Sequence, residues 1–229
     1  MSDLVNSFYQ NFIEKDRYQY LLDGLKNTLI VTFFAVLIGI AIGFILAIIR
    51  STYDNTKKLK ILNFFANVYL TVIRGTPVVL QLLITYFVIF ASVNISKLLV
   101  AIIAFGINSG AYVAEIIRSG INSIDRGQFE AGRSLGFSYA QTMIYFILPQ
   151  ALKNVLPALG NEFVVLLKET SVAGYIALQD LTKGADIIRS QTYSAFMPLV
   201  MAAAIYLVMV IAFDYLIKRL ERRLRSSDH

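Results

Sequence analysis

A long apolar run from Leu25 to Ile49 limits what this chain can fold into more than any other feature of its sequence. About 24 residues in a helix that rises 1.5 Å per residue are enough to cross the roughly 30 Å hydrocarbon core of a bilayer. The whole chain is 57% hydrophobic and 16% charged, whereas soluble domains are about 45–50% apolar. The sequence therefore predicts an all-α integral membrane protein, with residues 1–229 in a single transmembrane domain.

The composition argues against an enzyme and against a nucleic-acid-binding protein. The chain has no cysteine and one histidine, His229, which leaves no thiolate, no catalytic imidazole and no histidine-based metal site. It also lacks the glycine-rich loop ending in Gly-Lys-Ser/Thr that cradles nucleotide phosphates. The net charge of +6 comes from basic residues at the ends of apolar runs, which is typical of membrane topology. We expect no catalytic site, and no bound cofactor, metal or nucleotide, in this chain.

The apolar segments and the basic loops between them predict a topology. Five spans are expected, at residues 25–49, 61–93, 98–117, 152–167 and 195–217. The polar loop Arg50–Lys60 carries four cations and one acid, and the tail Lys218–Arg225 is also basic. Because loops rich in Lys and Arg stay in the cytoplasm, we expect the N-terminus outside and the C-terminus inside.

The second span is too long for a simple crossing and contains Arg74-Gly-Thr-Pro77 near its middle. Proline removes a backbone donor and interrupts a helix, so the pattern predicts an approach helix, a break and a main span from Val78 onward. Such a break survives at membrane depth only where protein or a water-filled cavity satisfies the freed backbone groups. We expect it to face a translocation path, with an ordinary structural kink as the alternative.

The polar segments outside the spans have less definite expectations. Residues 1–20 place apolar side chains at helical intervals, which predicts an amphipathic helix on the membrane surface or else a partly ordered tail. Residues 168–194 are polar and too long for a simple turn. Because the fourth predicted span runs outward, we expect them on the outer side. Asp23 precedes the first apolar run and is expected to cap that helix, with a substrate contact as the alternative.

One polar stretch between the third and fourth spans resembles a known family. It reads Gly127-Gln-Phe-Glu-Ala-Gly-Arg-Ser-Leu-Gly136 and is followed by Phe146-Ile-Leu-Pro149, with Ala114-Glu-Ile-Ile-Arg118 before it. These motifs and their spacing resemble the cytoplasmic loop by which ABC-importer permeases dock on their ATPase. From residue 22 to residue 216 the chain is similar to the permease subunit of polar amino acid ABC importers, the histidine, glutamine and arginine type.

The resemblance implies a coupling helix within residues 120–148 that fits a cleft on the ATPase. Its apolar and polar faces suit a helix lying in a partner's groove, and Gly136 is expected to end it, because glycine accepts the left-handed C-cap conformation. Gly132 stands where the family usually has alanine. The docking residues expected are Asp125, Gln128, Glu130, Ala131, Arg133 and Gly136.

The same resemblance implies partners and a location. The partners are an ABC ATPase that binds ATP and Mg, a second permease copy or a paralogue, and an extracellular or periplasmic amino-acid-binding protein. The chain would be a multi-pass protein of the bacterial cytoplasmic membrane. Transport would follow alternating access, driven by the ATPase. Whether the dimer is homomeric, and whether selectivity lies in this chain or in the binding protein, stays open at this point.

Polar residues inside the apolar spans are the candidates for substrate binding, because an intramembrane carboxylate costs at least about 2.5 kcal/mol unless it is paired or hydrated. Asn108, Tyr112 and Glu115 share one helical face. Glu115 has an alternative role, an ion pair with Arg118 three residues on, whereas Glu162 has no cation near it on its own helix face. The full set is Asp23, Gln81, Asn108, Ser109, Tyr112, Glu115, Asn161 and Glu162.

Two carboxylates with amides in one cavity would suit a basic amino acid. We therefore expect import of a polar amino acid, with arginine favoured over histidine, lysine and glutamine. The alternative functions are an ion-coupled secondary transporter or a channel that acts without an ATPase. The absence of a long-period repeat argues against the secondary transporter, since many such folds are built from inverted repeats.

Overall fold

The computed structural model describes residues 2–225 of the chain, and side chains from residue 5 to residue 224. His229 therefore lies outside the described residues. All regular elements in the described part are helical. The α-helices are α1 Ser2–Phe8, α2 Tyr18–Thr56, α3 Lys60–Gly75, α4 Val78–Ile84, α5 Lys97–Asn122, α6 Arg126–Ser134, α7 Tyr139–Thr142, α8 Leu148–Glu169, α9 Leu181–Thr192 and α10 Phe196–Arg225.

Short π-helical and 3-10 segments connect several of these helices. The π-helical segments are Tyr9–Ile13 after α1, Thr85–Ile89 after α4 and Met143–Ile147 before α8, and the 3-10 segments are Glu14–Asp16 and Thr170–Ile176. The π segment Thr85–Ile89 extends α4, so that Val78–Ile89 forms one helix. The segments from Tyr139 to Glu169 follow one another without a gap.

Within the described residues, α2, α5 and α10 are each long and apolar enough to cross a membrane. Helices α3 and α4 with its π-helical extension meet the same test together, but they are bent by 107° at a short break. Helix α8 is long enough at 22 residues, yet its amides and charges make it too polar to be counted on composition. An all-helical membrane fold is thus confirmed, and the five spans with their orientation stay a prediction.

The centre of the fold is the packing of α2 against α5. An added Cβ atom at Gly39 would lie 2.7 Å from the Ser109 Oγ, and one at Gly43 would lie 2.5 Å from the Val113 Cγ1. Real Cβ atoms do not approach so closely, so the two glycines allow the helix backbones to come together. The largest fully buried side chain, Phe105, lies on α5 in the same core.

Two expectations about the ends of α2 are wrong. The stretch Arg50–Lys60 is not a loop, because α2 continues to Thr56 and only a three-residue turn separates it from α3. In that turn Lys57 and Leu59 both have positive φ angles, of 58° and 61°. Asp23 does not cap the helix, because α2 already begins at Tyr18 and leaves Asp23 exposed in its second turn.

The segment before α2 packs against α9. Phe12 is buried in a cluster with Leu21, Leu181 and Ile188, and the Thr192 hydroxyl donates to the Asn11 Oδ1 at 2.9 Å. Phe12 of this N-terminal segment therefore faces protein, whereas Val5, Phe8 and Ile13 are exposed. It ties the start of the chain to the connection between α8 and α10.

The contact between α2 and α9 depends on a glycine, which makes a stability prediction. An added Cβ at Gly24 would lie 2.4 Å from the Asp180 carbonyl oxygen, whereas one at Gly75 would have nothing within 4 Å. Alanine improves helix propensity at both positions by about 1 kcal/mol, but overpacking typically costs about 1–3 kcal/mol. We expect Gly24→Ala to lower the thermal unfolding midpoint in detergent and Gly75→Ala to leave it unchanged or higher. Equal midpoints for the two variants would show that this contact is not close-packed.

Candidate functional site

The break between α3 and α4 follows directly from the sequence Gly75-Thr-Pro77. Proline has no amide hydrogen and disfavours the helical conformation of the residue before it. Thr76 is accordingly extended, at φ −123° and ψ 145°, and Pro77 is also extended, at ψ 135°. The predicted break is confirmed at this point.

The Gln81 side chain bridges the break. Its Nε2 contacts the Ile73 carbonyl oxygen at 2.7 Å, the Thr76 carbonyl oxygen at 3.1 Å and the Thr76 Oγ1 at 2.8 Å. Its Oε1 accepts a hydrogen bond from the Asn108 Nδ2 at 3.0 Å. The backbone groups freed by the break are thus satisfied by protein. In this structure Gln81 and Asn108 brace the break and fix its position against α5.

A charged cavity of about 450 Å³ opens beside the break. Its walls come from α2, α3 and α5, which bring together residues far apart in the sequence. The lining residues are Arg50, Asn67, Leu70, Thr71, Arg74, Gly75, Tyr112 and Glu115. We call this space the charged cavity.

Glu115 is the only carboxylate among the residues lining the charged cavity. Its Oε1 contacts the Arg50 guanidinium and lies 3.7 Å from that of Arg74, and its Oε2 lies 3.8 Å from Arg118. Arg118 also contacts Asp54 at 3.1 Å. The expected pair of Glu115 with Arg118 is thus one contact of a larger cluster, in which three guanidinium groups meet two carboxylates and leave a net positive charge.

Arg74 is the cation in the charged cavity best placed to meet a ligand. Its side chain is 48% exposed, against 16% for Arg50, and its guanidinium lies 6.0 Å from the centre of the Tyr112 ring. A guanidinium group binds carboxylates through two parallel hydrogen bonds. The cavity therefore offers a site for a carboxylate at Arg74, next to a carboxylate and a phenol that can receive a cationic group.

The remaining candidate residues lie outside the charged cavity. Glu162 is 8% exposed and accepts a hydrogen bond from the Ser109 hydroxyl at 2.8 Å, which joins α8 to α5. Asn161 is exposed on another side of α8. The eight predicted residues thus fall into five places, and only Tyr112 and Glu115 line the cavity.

Sequence reasoning missed the two arginines of the charged cavity. Arg74 belongs to the Arg-Gly-Thr-Pro run that predicted the break. Its place beside a break expected to face a cavity could have identified it as a lining residue. Arg50 was assigned to a loop because it begins a polar stretch. Only the continuation of α2 as a helix to Thr56 brings Arg50 to the side facing Glu115.

A short capped helix, α6, follows the C-terminal end of α5. The Asp125 Oδ1 accepts from the Gly127 amide at 2.6 Å at the start of α6, and Gly136 follows its end with φ 87°. Glycine is needed there, because this left-handed conformation strains other residues. The other expected docking residues, Gln128, Glu130, Ala131 and Arg133, are all exposed.

Gly132 on α6 has a packing reason. An added Cβ would lie 2.6 Å from the Thr142 Cγ2, so an alanine would push α6 away from α7. The Phe129 ring also stacks on Tyr139 at 6.3 Å between centroids. These contacts hold α6 against the segment that leads into α8, and they leave its polar side uncovered.

Comparison with known proteins identifies the family. Residues 39–226 match the family of binding-protein-dependent transport system inner membrane components. The chain belongs to this family. It is also 38% identical over 207 residues to the putative glutamine transport system permease protein GlnP of Rickettsia typhi, covering 90% of this chain and 93% of the relative. The arginine transport system permease protein ArtQ of Bacillus subtilis is 39% identical over 212 residues, covering 91% and 94%.

Solved structures agree with this assignment. The crystal structure of an amino acid ABC transporter with histidines contains a chain that is 46% identical, with a TM-score of 0.82 over 93% of this permease and 98% of that chain. An inward-facing MetNI methionine ABC transporter has a TM-score of 0.78 at 18% identity, over 90% and 96%, and shows the likeness of fold alone. The resemblance to amino acid ABC permeases is confirmed, and in this family the ATPase is a separate subunit.

Among the described residues, one buried acid lies outside the predicted spans and outside the charged cavity. Asp180 precedes α9 and is 1% exposed. Its Oδ1 accepts from the Lys183 amide at 2.7 Å, whereas its Oδ2 has no hydrogen-bond partner among the described residues. Burial raises the pKa of Asp180 to about 7. The nearby Asp186 has a pKa lowered by hydrogen bonds from Lys183 and Arg189.

This burial predicts how stability depends on pH. Between pH 4 and 7 the folded Asp180 binds more protons than the unfolded one, so stability falls as the pH rises through 7. We expect the thermal unfolding midpoint in detergent to drop between pH 6 and pH 8, and to drop less in Asp180→Asn, which keeps a good helix cap. The control, Asp186→Asn, should keep the wild-type slope, because Asp186 is ionised throughout this range. An unchanged slope in Asp180→Asn would contradict the assignment.

Proposed function

We propose that this permease moves polar, basic L-amino acids, arginine above all, across the bacterial cytoplasmic membrane by alternating access. The observation that carries the proposal is the charged cavity at the broken helix, with Arg74, Tyr112 and Glu115 side by side. An amino acid presents a carboxylate and an ammonium group on neighbouring atoms, and these three side chains offer a partner for each. The volume, about 450 Å³, is in the range of small-molecule sites.

The preference for arginine over glutamine rests on Glu162, because the cluster at the charged cavity itself carries a net positive charge. Relatives are named for both amino acids, so the names do not decide between them. In the proposal Arg74 binds the substrate carboxylate and Glu115 receives the α-amino group. Glu162 is the second acid and lies outside the charged cavity, 8% exposed and hydrogen-bonded by the Ser109 hydroxyl. In the proposal its negative charge lies further along the path and favours a cationic substrate.

Helix α8 supports a path between two copies of the permease. Asn161 and Lys168 are both exposed, and a separation of seven residues puts them on one face of the helix. Exposed polar groups on a helix of this length are costly against lipid and acceptable along a water-filled path. In the proposal the permease forms a dimer with a second copy or with a paralogue, and the α8 helix of each subunit faces the path.

Helix α6 is the proposed docking site for the ATPase, which would bind the ATP and Mg. It is short, capped by Asp125, ended at Gly136 and exposed on its polar side, and the basic turn Lys57–Leu59 lies at the same end of the molecule. Basic loops remain in the cytoplasm, which supports the N-out, C-in topology with five spans. The binding protein would deliver substrate at the opposite end, beside the segment of residues 168–194.

The proposal predicts that Glu115 and Glu162 affect the response to arginine and glutamine differently. The measurement is amino-acid-stimulated ATP hydrolysis in liposomes that contain the permease, its ATPase and its binding protein. Glu115→Gln should weaken stimulation by both arginine and glutamine by about 10-fold or more in apparent affinity, because a hydrogen bond to a charged group contributes about 1.5–3 kcal/mol. Glu162→Gln should weaken stimulation by arginine and leave stimulation by glutamine unchanged.

The matched control is Glu14→Gln, which makes the same change on the segment before α2. It should behave as the wild type. If Glu115→Gln responds normally to both amino acids, the charged cavity is not the substrate site. If Glu162→Gln keeps the preference for arginine, selectivity lies elsewhere, most simply in the binding protein.

A further inference from the structure

A second feature lies beside α6, at the same end of the molecule. A cavity of about 770 Å³ separates the end of α2 from the turn that follows α6. We call it the basic pocket. Its polar lining residues are Thr52, Thr56, Lys58, Arg133, Ser138 and Gln141.

The two cations of the basic pocket form no ion pair among the residues that the structure describes. Lys58 and Arg133 are both exposed. Of the acids nearby in sequence, Asp54 contacts Arg118 at 3.1 Å and Asp125 caps α6. Glu130 is exposed three residues before Arg133 on α6. The pocket thus presents two free cations together with hydroxyl and amide groups.

The walls of the basic pocket are connected by contacts between α2 and α7. The Asn55 Nδ2 donates to the Tyr139 hydroxyl at 3.5 Å, and that hydroxyl donates to the Ser51 carbonyl oxygen at 3.4 Å. Ser138 and Gln141 form a reciprocal capping box at the start of α7. The pocket is therefore preformed, and an occupant would not have to order it.

An exposed apolar residue lies next to the basic pocket. Leu135 is 75% exposed and immediately precedes Gly136, one of the lining residues. An uncovered leucine beside unpaired cations and a short docking helix is typical of a protein interface, in which an apolar anchor is surrounded by polar contacts.

The depth of the basic pocket favours a protein occupant over lipid. The apolar run of α2 ends at Ile49, and Thr56 is seven residues further along the same helix. At 1.5 Å per residue this distance is about 10 Å along the helix, beyond the roughly 5–7 Å of headgroups on each side of the bilayer.

We infer that the basic pocket is a second contact for the ATPase, in which Lys58 and Arg133 receive acidic side chains while Leu135 packs on an apolar part of the same surface. This inference rests on the proposed function, because it extends the docking site from α6 to the end of α2. We therefore expect the ATPase surface opposite Lys58 to be negatively charged, and docking to weaken as the ionic strength rises.

The test is binding of the ATPase subunit, purified from the wild-type complex, to the full-length permease in nanodiscs of phosphatidylcholine alone. We expect Lys58→Glu to weaken binding at least 10-fold and to reduce its dependence on salt, because an opposed charge repels the acidic partner. Lys60→Glu makes the same change at an exposed residue outside the pocket and should bind as the wild type does. Lys58→Gln, which removes the charge without reversing it, should give a smaller loss and serves if Lys58→Glu misfolds.

The outcomes separate this inference from the proposed function. If the wild type binds the ATPase and Glu130→Arg weakens binding while both Lys58 variants bind normally, the second contact is wrong and docking through α6 stands. If the wild type itself does not bind the ATPase, the proposed function fails as well. If Lys58→Glu matters only in nanodiscs that contain phosphatidylglycerol, the occupant is an anionic lipid and the inference is overturned.

Discussion

The hydrogen bonds of the Gln81 side chain are the interaction on which the rest of the structure depends. A helix interrupted in an apolar environment exposes carbonyl groups that would each cost free energy if left unpaired. Gln81 contacts the carbonyl oxygens of Ile73 and Thr76 and at the same time holds Asn108 on α5. The end of α3 is thereby fixed against α5. Arg74 consequently lies beside Tyr112 and Glu115, and the charged cavity exists where it does because of this brace.

Helix α2 connects the charged cavity to α7. Arg50 contacts Glu115 at the cavity, Asp54 binds Arg118 one turn further on, and Ser51 and Asn55 contact the tyrosine of α7. These four residues of α2 lie within about two turns. If a partner displaced α6 and α7, the movement would therefore be transmitted to Arg50 and Glu115 through α2 alone.

Much of the architecture could be predicted from the sequence. The length of an apolar run that crosses a bilayer, and the break that a proline makes in a helix, can both be recognised in consecutive residues. The apolar runs, the break at Pro77 and the glycine end of α6 each follow from a few consecutive residues, and the family follows from motif spacing. The end of α2 could not be predicted in the same way. Polarity marked Arg50–Lys60 as a loop, although polar residues also continue a helix once it has left the membrane.

The surroundings of the candidate substrate residues were harder to predict than the fold. Helical spacing put Asn108, Tyr112 and Glu115 on one face, but spacing does not reveal partners on other helices. Asn108 turned out to be occupied by Gln81, and Ser109 by Glu162. The arginines that complete the charged cavity come from α2 and α3, and only the packing of three helices assembles them.

The most direct test of the central claim is equilibrium binding of radiolabelled arginine to the purified permease and ATPase complex in the absence of the binding protein. If the charged cavity is a substrate site, binding saturates at one arginine per permease chain and is lost in Arg74→Leu. A complex that transports arginine with its binding protein, yet shows no saturable binding without it, would contradict the claim and leave the permease as a passage without a site of its own.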